Sequence, residues 1–240
     1  MMSKEFARTV IGILGNIISL VLFLSPVQTF HTIWKRKSVE QYSPVPYMAT
    51  LANCGLWALY GMPMVHPHST LVVTINGLGL FIEIVFLSLF FVFSDLKKRL
   101  RVMIVVVAVC VCLAVLALLV LILAPTTQLR STVVGSIAMA ANILMYASPL
   151  SVMKLVITTR SVEYMPFLLS LFTLLNAICW TSYALIKFDL FLMIPNAMGA
   201  FFGVAQLILY AVFYKSTKQI MASKKAQTQV SLTEIRTESK

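Results

Sequence analysis

Of the 240 residues in this chain, 60% are hydrophobic and only 11% are charged. The mean hydropathy is +0.92, whereas a soluble globular domain carries roughly 25% charged residues. This composition excludes a soluble domain and predicts an integral membrane protein. The net charge of +11 comes from basic residues that flank apolar segments. It therefore indicates membrane topology and contact with lipid headgroups, and it argues against nucleic-acid binding.

Seven apolar segments are long enough to cross a bilayer, because a spanning helix needs about 20 residues. The sequence predicts an all-α fold with seven transmembrane helices, called spans one to seven here. Their predicted bounds are 10–33, 45–64, 70–93, 102–124, 132–157, 166–187 and 190–214.

The basic residues predict the orientation of these spans. Fifteen of the nineteen lysines and arginines fall on one side of the predicted helices, and the other side holds Lys4, Arg8, Arg130 and Lys187. By the positive-inside rule, we expect an extracellular N-terminus and a cytoplasmic C-terminus.

An internal repeat divides the chain. Two motifs recur 123 positions later (149 − 26 and 161 − 38), and three polar or aromatic residues of span two recur in the same register. Repeats in an apolar chain are typical of transporters, whose substrate lies between the two halves. The matched sequences are Ser25-Pro26 with Ser148-Pro149, Lys37-Ser38-Val39-Glu40 with Arg160-Ser161-Val162-Glu163, and Asn53, Trp57 and Tyr60 with Asn176, Trp180 and Tyr183.

The repeat predicts the domain organisation. Residues 10–93 form the first three-helix half and 125–214 the second. Between them, 94–124 supplies a cytoplasmic loop and a single linker helix, so both halves have the same orientation and the repeats are parallel. We expect 1–9 to be an extracellular N-terminus and the polar segment 215–240 to be a disordered cytoplasmic tail.

Four prolines occupy matched positions near the cytoplasmic ends of four spans: Pro26, Pro46, Pro149 and Pro166. Proline removes a backbone donor and kinks a helix. The matched set predicts hinges, although single prolines are common in membrane helices.

Matched asparagines and tryptophans predict a binding cavity. Asn76 and Asn196 lie in the third span of each half, 120 positions apart. Their amides suit sugar hydroxyls, and the alternative is an interhelical hydrogen bond. Trp57 and Trp180 lie mid-span, where an indole face can pack against a sugar ring. One turn earlier on the same faces are the further amides, Asn53 and Asn176.

Counting back from the prolines of the first span in each half adds four weaker candidates. These are Ser19 and Leu22, with Asn142 and Met145 as their counterparts. Apolar residues at helical spacing more often serve packing alone. We find no constellation typical of an enzyme and no metal-spaced histidine pair in a span. The sequence therefore predicts no catalytic residues, no metal and no cofactor.

Glu83 is the one clear intramembrane acid, and its aligned position in the second half is Gly203. Coupled transporters need an ionisable relay in the membrane. An unpaired acid could be such a relay, but a hydrogen bond to a neighbouring helix is the favoured interpretation. We therefore expect passive transport.

These motifs resemble those of plant-type SWEET sugar transporters. Further matches over about residues 5–215 are the segments Tyr164-Met165-Pro166-Phe167, Thr74-Ile75-Asn76-Gly77, Ile194-Pro195-Asn196 and Gln206-Leu207-Ile208-Leu209-Tyr210. The resemblance implies a 3+1+3 helix architecture and bidirectional, energy-independent sugar uniport by alternating access.

The resemblance also implies residue roles and partners. Asn76 and Asn196 would bind sugar between the walls formed by Trp57 and Trp180, and the four prolines would be hinges. An extracellular gate would comprise Tyr60, Tyr183 and Asp189. Family members are commonly homo-oligomers, often trimers, and the plasma membrane is the expected location, with vacuolar or other endomembranes as alternatives.

The size of the cavity residues bears on the sugar. The family resemblance implies that sucrose-carrying relatives tend to have smaller residues at the positions of Asn53 and Asn176. Together with Met145, these bulkier side chains would shrink the cavity, so we expect a monosaccharide such as glucose or fructose over sucrose. Polarity alone would admit galactose or a polyol equally well. Two other functions stay open on the sequence: a proton-coupled exporter built on PQ-loop halves, and a seven-span receptor.

Overall fold

The computed structural model describes residues 3–238, with side chains through residue 229. In this part of the chain every regular element is an α-helix. The helices are α1 (Lys4–Leu24), α2 (Val27–Arg36), α3 (Val45–Gly61), α4 (Thr70–Phe93), α5 (Leu96–Leu123), α6 (Thr127–Met145), α7 (Ala147–Thr159), α8 (Phe167–Ile186) and α9 (Leu190–Glu238).

The helices confirm the predicted all-α membrane fold. Six candidate spans among the described residues are long and apolar enough to cross a bilayer, with α1–α2 and α6–α7 each counted as one span. The seventh apolar segment is α3, which has 17 residues and packs between α4 and α6. The fold is thus that of a multi-pass integral membrane protein.

The four prolines form two pairs that differ in their position along the helices. Pro26 and Pro149 lie where the first span of each half is broken, between α1 and α2 and at the start of α7. Pro46 is in the first turn of α3 and Pro166 is the N-cap of α8. At a helix start the missing N–H of proline breaks no hydrogen bond, because the first N–H groups of a helix have no partner within it. The helix breaks expected at Pro26 and Pro149 are therefore present. The prediction that Pro46 and Pro166 kink a helix is wrong, because both lie at a helix start.

Both halves pack in the same way. In each half the third span lies between the other two, so α4 contacts α1 and α3, and α9 contacts α6 and α8. The halves meet through two matched contacts, α1 with α8 and α3 with α6. The linker helix α5 packs on α3, α4 and α6, and most of its surface is exposed, as a lipid-facing helix requires.

Two ends of the chain differ from the expected boundaries. Helix α1 already begins at Lys4, because the Ser3 hydroxyl accepts the Phe6 N–H at 3.2 Å and caps it. Helix α9 continues through the segment expected to be disordered, as far as Glu238. The expectation of an unstructured tail is wrong for 215–238, and residues 239 and 240 lie outside the described part.

Candidate substrate cavity

A cavity of about 360 Å³ lies between the two halves. All ten residues that the sequence predicts for substrate binding line it, so the fold brings together side chains from six of the spans. They are Ser19, Leu22, Asn53, Trp57, Asn76, Asn142, Met145, Asn176, Trp180 and Asn196.

Sequence reasoning missed several lining residues, and the repeat holds the signal for most of them. Thr50 and Thr173 are matched (173 − 50 = 123) and lie one turn before Asn53 and Asn176. The remaining lining residues are Phe23 and Tyr146, Val72 and Leu192, Ile75, and Pro149, which the sequence predicts as a hinge. Extending each candidate by one helical turn would have found the threonines.

Asn76 and Asn196 are held in the same way. The Asn76 Nδ2 donates to the backbone oxygen of Val72 at 2.9 Å, and the Asn196 Nδ2 donates to that of Leu192 at 2.8 Å. Each bond lies within one helix, so neither amide connects two helices. In the described part of the chain neither Oδ1 accepts a hydrogen bond, which leaves both oxygens available to a ligand.

The wall around Trp180 is closed by hydrogen bonds between the halves. The Trp180 Nε1 donates to the Ser19 Oγ at 3.1 Å, and that hydroxyl donates to the Asn176 Oδ1 at 2.6 Å. Gly15 favours this close approach, because a Cβ at that position would lie 3.2 Å from the Trp180 ring, which is tighter than an ordinary contact. Helices α1 and α8 are thereby joined at the cavity wall.

The matched wall around Trp57 lacks such a network. Asn142 replaces Ser19 at the repeat-related position (142 − 19 = 123). The Asn53 Oδ1 is buried without a hydrogen-bond partner in the described chain. One wall of the cavity is thus internally bonded, and in the described chain the other contains an unpaired amide oxygen.

The end of the cavity near the α1 N-terminus is sealed by Tyr60 and Asp189. The Tyr60 hydroxyl donates to the Asp189 Oδ1 at 2.9 Å, and it joins α3 to the start of α9. The same oxygen accepts the backbone N–H groups of Phe191 and Leu192, at 3.1 and 3.2 Å. Tyr60 is fully buried. The polar contact therefore lies inside a sealed joint between the halves.

His66 lies beside this contact. Its ring stacks on Tyr60 with centroids 4.7 Å apart, and its Nε2 lies 3.4 Å from the Asp189 Oδ2. The other ring nitrogen, Nδ1, is 2.9 Å from the Ser131 hydroxyl of α6. The pKa of His66 is lowered, chiefly because burial disfavours the charged ring, and the Asp189 carboxylate opposes that effect.

Tyr183 closes the other side of the same contact between the halves, and its partner is a basic residue in place of an acid. The Arg8 guanidinium lies 4.0 Å from the centre of the Tyr183 ring, and its Nη1 donates to the backbone oxygen of His68 at 2.8 Å. Cations are attracted to the faces of aromatic rings. All three predicted gate residues, Tyr60, Tyr183 and Asp189, therefore lie together at the sealed end.

The opposite end is open. Pro46 and Pro166 are exposed, and Pro26 and Pro149 are half-buried. The cavity extends to Thr50, Thr173 and Pro149 on this side. The molecule is therefore closed at its predicted extracellular end and open at its predicted cytoplasmic end.

Glu83 lies outside the cavity lining. Its side chain is buried, and in the described chain its Oε2 has no hydrogen-bond partner. Among the described residues no hydrogen bond to the Glu83 side chain is found, so the expected bond to a neighbouring helix is absent there.

Two repeated helical halves around a polar central cavity define a multi-pass membrane transporter. A family model described as "Sugar efflux transporter for intercellular exchange" matches residues 9–98 and 132–218. The chain therefore belongs to the SWEET family, whose members are sugar transporters and not enzymes.

Relatives and a solved structure agree with this assignment. The chain is 58% identical over 221 residues to the bidirectional sugar transporter SWEET7 of Arabidopsis thaliana, covering 92% of this chain and 86% of that protein. It is 54% identical over 225 residues to the bidirectional sugar transporter SWEET4 of Oryza sativa, covering 94% and 87%. A solved eukaryotic SWEET transporter is 38% identical, with a TM-score of 0.85 over 88% of this chain and 99% of that one.

Proposed function

We propose that this protein is a bidirectional facilitative transporter that moves a monosaccharide, such as glucose or fructose, down its gradient by alternating access. The observation that carries the proposal is the central cavity, which holds all ten candidate residues and is sealed at only one end. A passive carrier needs a binding site that faces one side at a time.

The contacts at the two ends suggest how access alternates. Opening the sealed end requires separation of Tyr60 from Asp189 and of Arg8 from Tyr183, since both contacts join the two halves. Closing the open end requires the broken spans to bend at Pro26 and Pro149. Pro46 and Pro166 would make the starts of α3 and α8 rigid, because proline fixes the backbone angle φ, so each helix could rotate as a unit with the turn before it.

The lining suits a sugar. The free Oδ1 atoms of Asn76 and Asn196 can accept from hydroxyl groups, while the indoles of Trp57 and Trp180 offer apolar faces to ring C–H groups. The volume of about 360 Å³ lies near the lower end of ligand pockets, which span about 300–1,000 Å³. Asn53 and Asn176 both narrow it, and this favours a monosaccharide over sucrose.

The proposed setting is the plasma membrane, with the N-terminus outside and the C-terminus in the cytoplasm. The excess of basic residues on the open side supports this orientation. Family resemblance favours a homo-oligomer, such as a trimer. The exposed surface of α5 leaves room for contact between protomers.

A proton-coupled carrier is the second candidate, and Glu83 is the observation in its favour. A buried carboxyl group without a hydrogen-bond partner can bind and release a proton. Against this role, Glu83 does not line the cavity and its counterpart is Gly203. The passive mode is therefore preferred.

Uptake of labelled sugars into transporter-deficient cells tests both candidates. Glucose, fructose, galactose and sucrose are compared in one assay, at several external pH values and with a protonophore. We expect equilibration of hexoses without accumulation, and little sucrose flux. Absence of flux for every sugar would refute sugar transport, and accumulation that a protonophore abolishes would refute uniport.

A further inference from the structure

A second pocket lies outside the sealed gate. Its volume is about 260 Å³, and it is bounded by the first turns of α1, the turn before α4 and the gate residue of α8. We call it the outer pocket. Its polar lining comprises Glu5, Arg8, Thr9, His68, Thr70 and Tyr183.

Arg8 supplies the main reason to expect a ligand there. The residue is only 5% exposed, and its Nε is buried without a hydrogen-bond partner in the described chain. One Nη group donates to the His68 backbone oxygen. Within the described residues no carboxylate lies within 4.0 Å of the guanidinium. One hydrogen bond and the Tyr183 ring are few partners for a buried charge, so a further polar acceptor in the pocket would stabilise the guanidinium.

The lining favours a neutral polyol over an anion. Glu5 shares the pocket with Arg8, so an anion near the guanidinium would also meet a carboxylate. The Thr9 hydroxyl donates to the backbone oxygen of Glu5 at 2.9 Å, which leaves its lone pairs as acceptors. Each sugar hydroxyl is both a donor and an acceptor. The several hydroxyls of one sugar can therefore form hydrogen bonds to the cation, the carboxylate and the threonines at the same time.

The outer pocket adjoins the central cavity through two aromatic rings. Tyr183 lines the outer pocket and Trp180 lines the cavity, and their ring centroids are 5.3 Å apart. Arg8 lies over Tyr183. An occupant of the outer pocket would thus touch the joint that has to move when the external end opens.

We propose that the outer pocket is an external sugar-binding subsite that holds a monosaccharide before the Tyr183 side of the gate opens. This inference rests on the proposed sugar transport. It differs from that proposal in predicting that sugar binds outside the closed gate, independently of the central asparagines.

Protection of an introduced thiol tests the subsite. Thr70→Cys is expressed in transporter-deficient cells and labelled from outside with a membrane-impermeant maleimide, and the chain without this substitution gives the background from its native cysteines. D-glucose should slow labelling by a factor of 1 + [L]/Kd, about fivefold when its concentration is about four times Kd. Raffinose, a trisaccharide too large for the pocket, is the osmotic control. Thr9→Cys is the second reporter if Thr70→Cys does not reach the surface.

The protection should persist when Asn76→Ala and Asn196→Ala are combined with the reporter, and it should be lost with Arg8→Gln. If the asparagine variants abolish protection, the effect comes from the central cavity and the subsite is refuted. Protection by sulfate in place of glucose, or no protection by either, also refutes it. If the unmutated chain carries no sugar at all, it is the proposed transport that fails.

Discussion

The two halves of this transporter share a backbone plan but not the same polar side chains. In the centre the halves match, since Asn76 and Asn196 make the same i to i−4 hydrogen bond. At the sealed end they differ. The first half supplies Arg8 where the second has Ser131 (131 − 8 = 123), and the second supplies Asp189 where the first has Ser69 (189 − 69 = 120).

The matched centre and the unmatched sealed end correspond to two different tasks, which are binding and closure. In the proposed transport cycle the sugar is held by equivalent groups from both halves, and the matched asparagines would provide them. Closure needs groups that attract each other across the contact, and here the two halves contribute different ones. The seal is therefore built from Tyr60 with Asp189 on one side and Arg8 with Tyr183 on the other.

The largest expected effect comes from removing the matched asparagines. Asn76→Ala and Asn196→Ala should each reduce sugar uptake by at least about tenfold, because buried sugar hydroxyls lose a partner. Surface levels should stay normal, since neither amide joins two helices. Asn16→Ala is the control, because it removes a bond to Thr74 between α1 and α4 outside the cavity. Loss of folded protein in the cavity variants, but not in Asn16→Ala, would contradict the ligand role.

The second effect tests the asymmetric seal with two matched tyrosines. Tyr60→Phe removes a hydrogen bond to a buried carboxylate, and such bonds contribute about 1.5–3 kcal/mol. Tyr183→Phe keeps the ring beneath Arg8, and in the described chain the Tyr183 hydroxyl makes no hydrogen bond for the change to remove. Labelling of Thr50→Cys in the cavity by an external impermeant maleimide measures opening. We expect about a tenfold increase for Tyr60→Phe and little change for Tyr183→Phe. Equal effects would mean that the seal is symmetric.

The sequence predicted the symmetric part of the molecule better than the asymmetric part. A duplicated motif marks equivalent positions, so the asparagines, tryptophans and their neighbours could be assigned to one cavity. The contact of Arg8 with Tyr183 has no repeat partner and joins distant parts of the chain. No local pattern marks such a pair, because Arg8 lies before the predicted bounds of span one, 10–33, and falls in the predicted N-terminal segment.

Two backbone features were predicted wrongly from the sequence, for a different reason. Pro46 and Pro166 were expected to kink spans, although the predicted bounds 45–64 and 166–187 already place both at the start of a span, where the structure also has them. The segment 215–238 has too few apolar residues to bury a face, yet it lacks proline and glycine. A helix satisfies its own backbone hydrogen bonds, so α9 can continue beyond the membrane span with few further contacts, such as the bond from the Val162 N–H to the Thr217 hydroxyl.

The third effect tests the bonded wall of the cavity. Ser19→Ala removes the hydroxyl that links Trp180 and Asn176, and two such bonds contribute about 0.5–1.5 kcal/mol each. We expect KM for glucose to rise by about three- to tenfold, with surface expression retained. Asn142→Ser is the matched control, since it places the smaller residue of the first half in the second. An unchanged KM in Ser19→Ala would show that the network does not shape the binding site.

The same asymmetry predicts where larger sugars are admitted. Asn176 is tied to Ser19, whereas the Asn53 Oδ1 has no partner in the described chain. Replacing Asn53 by Ser removes bulk without breaking a network, so we expect this change to raise sucrose uptake relative to glucose more than Asn176→Ser does. A substrate panel on both variants gives the ratio. Equal ratios, or no gain for either, would remove the size argument.

The smallest effect concerns the cytoplasmic ends of the halves. Glu40 pairs with Arg36 of its own half at 2.6 Å, whereas Glu163 pairs with Lys224 in the extended part of α9 at 3.1 Å. Exposed ion pairs contribute at most about 1 kcal/mol, so Glu163→Gln should raise the rate of tryptic cleavage near Lys224 by no more than about fivefold. Glu40→Gln should leave that rate unchanged, and neither change should alter hexose uptake because both carboxylates lie outside the cavity. Equal cleavage in both variants would show that the second half does not hold the extended helix, and a loss of uptake with Glu163→Gln would instead connect that helix to the transport cycle.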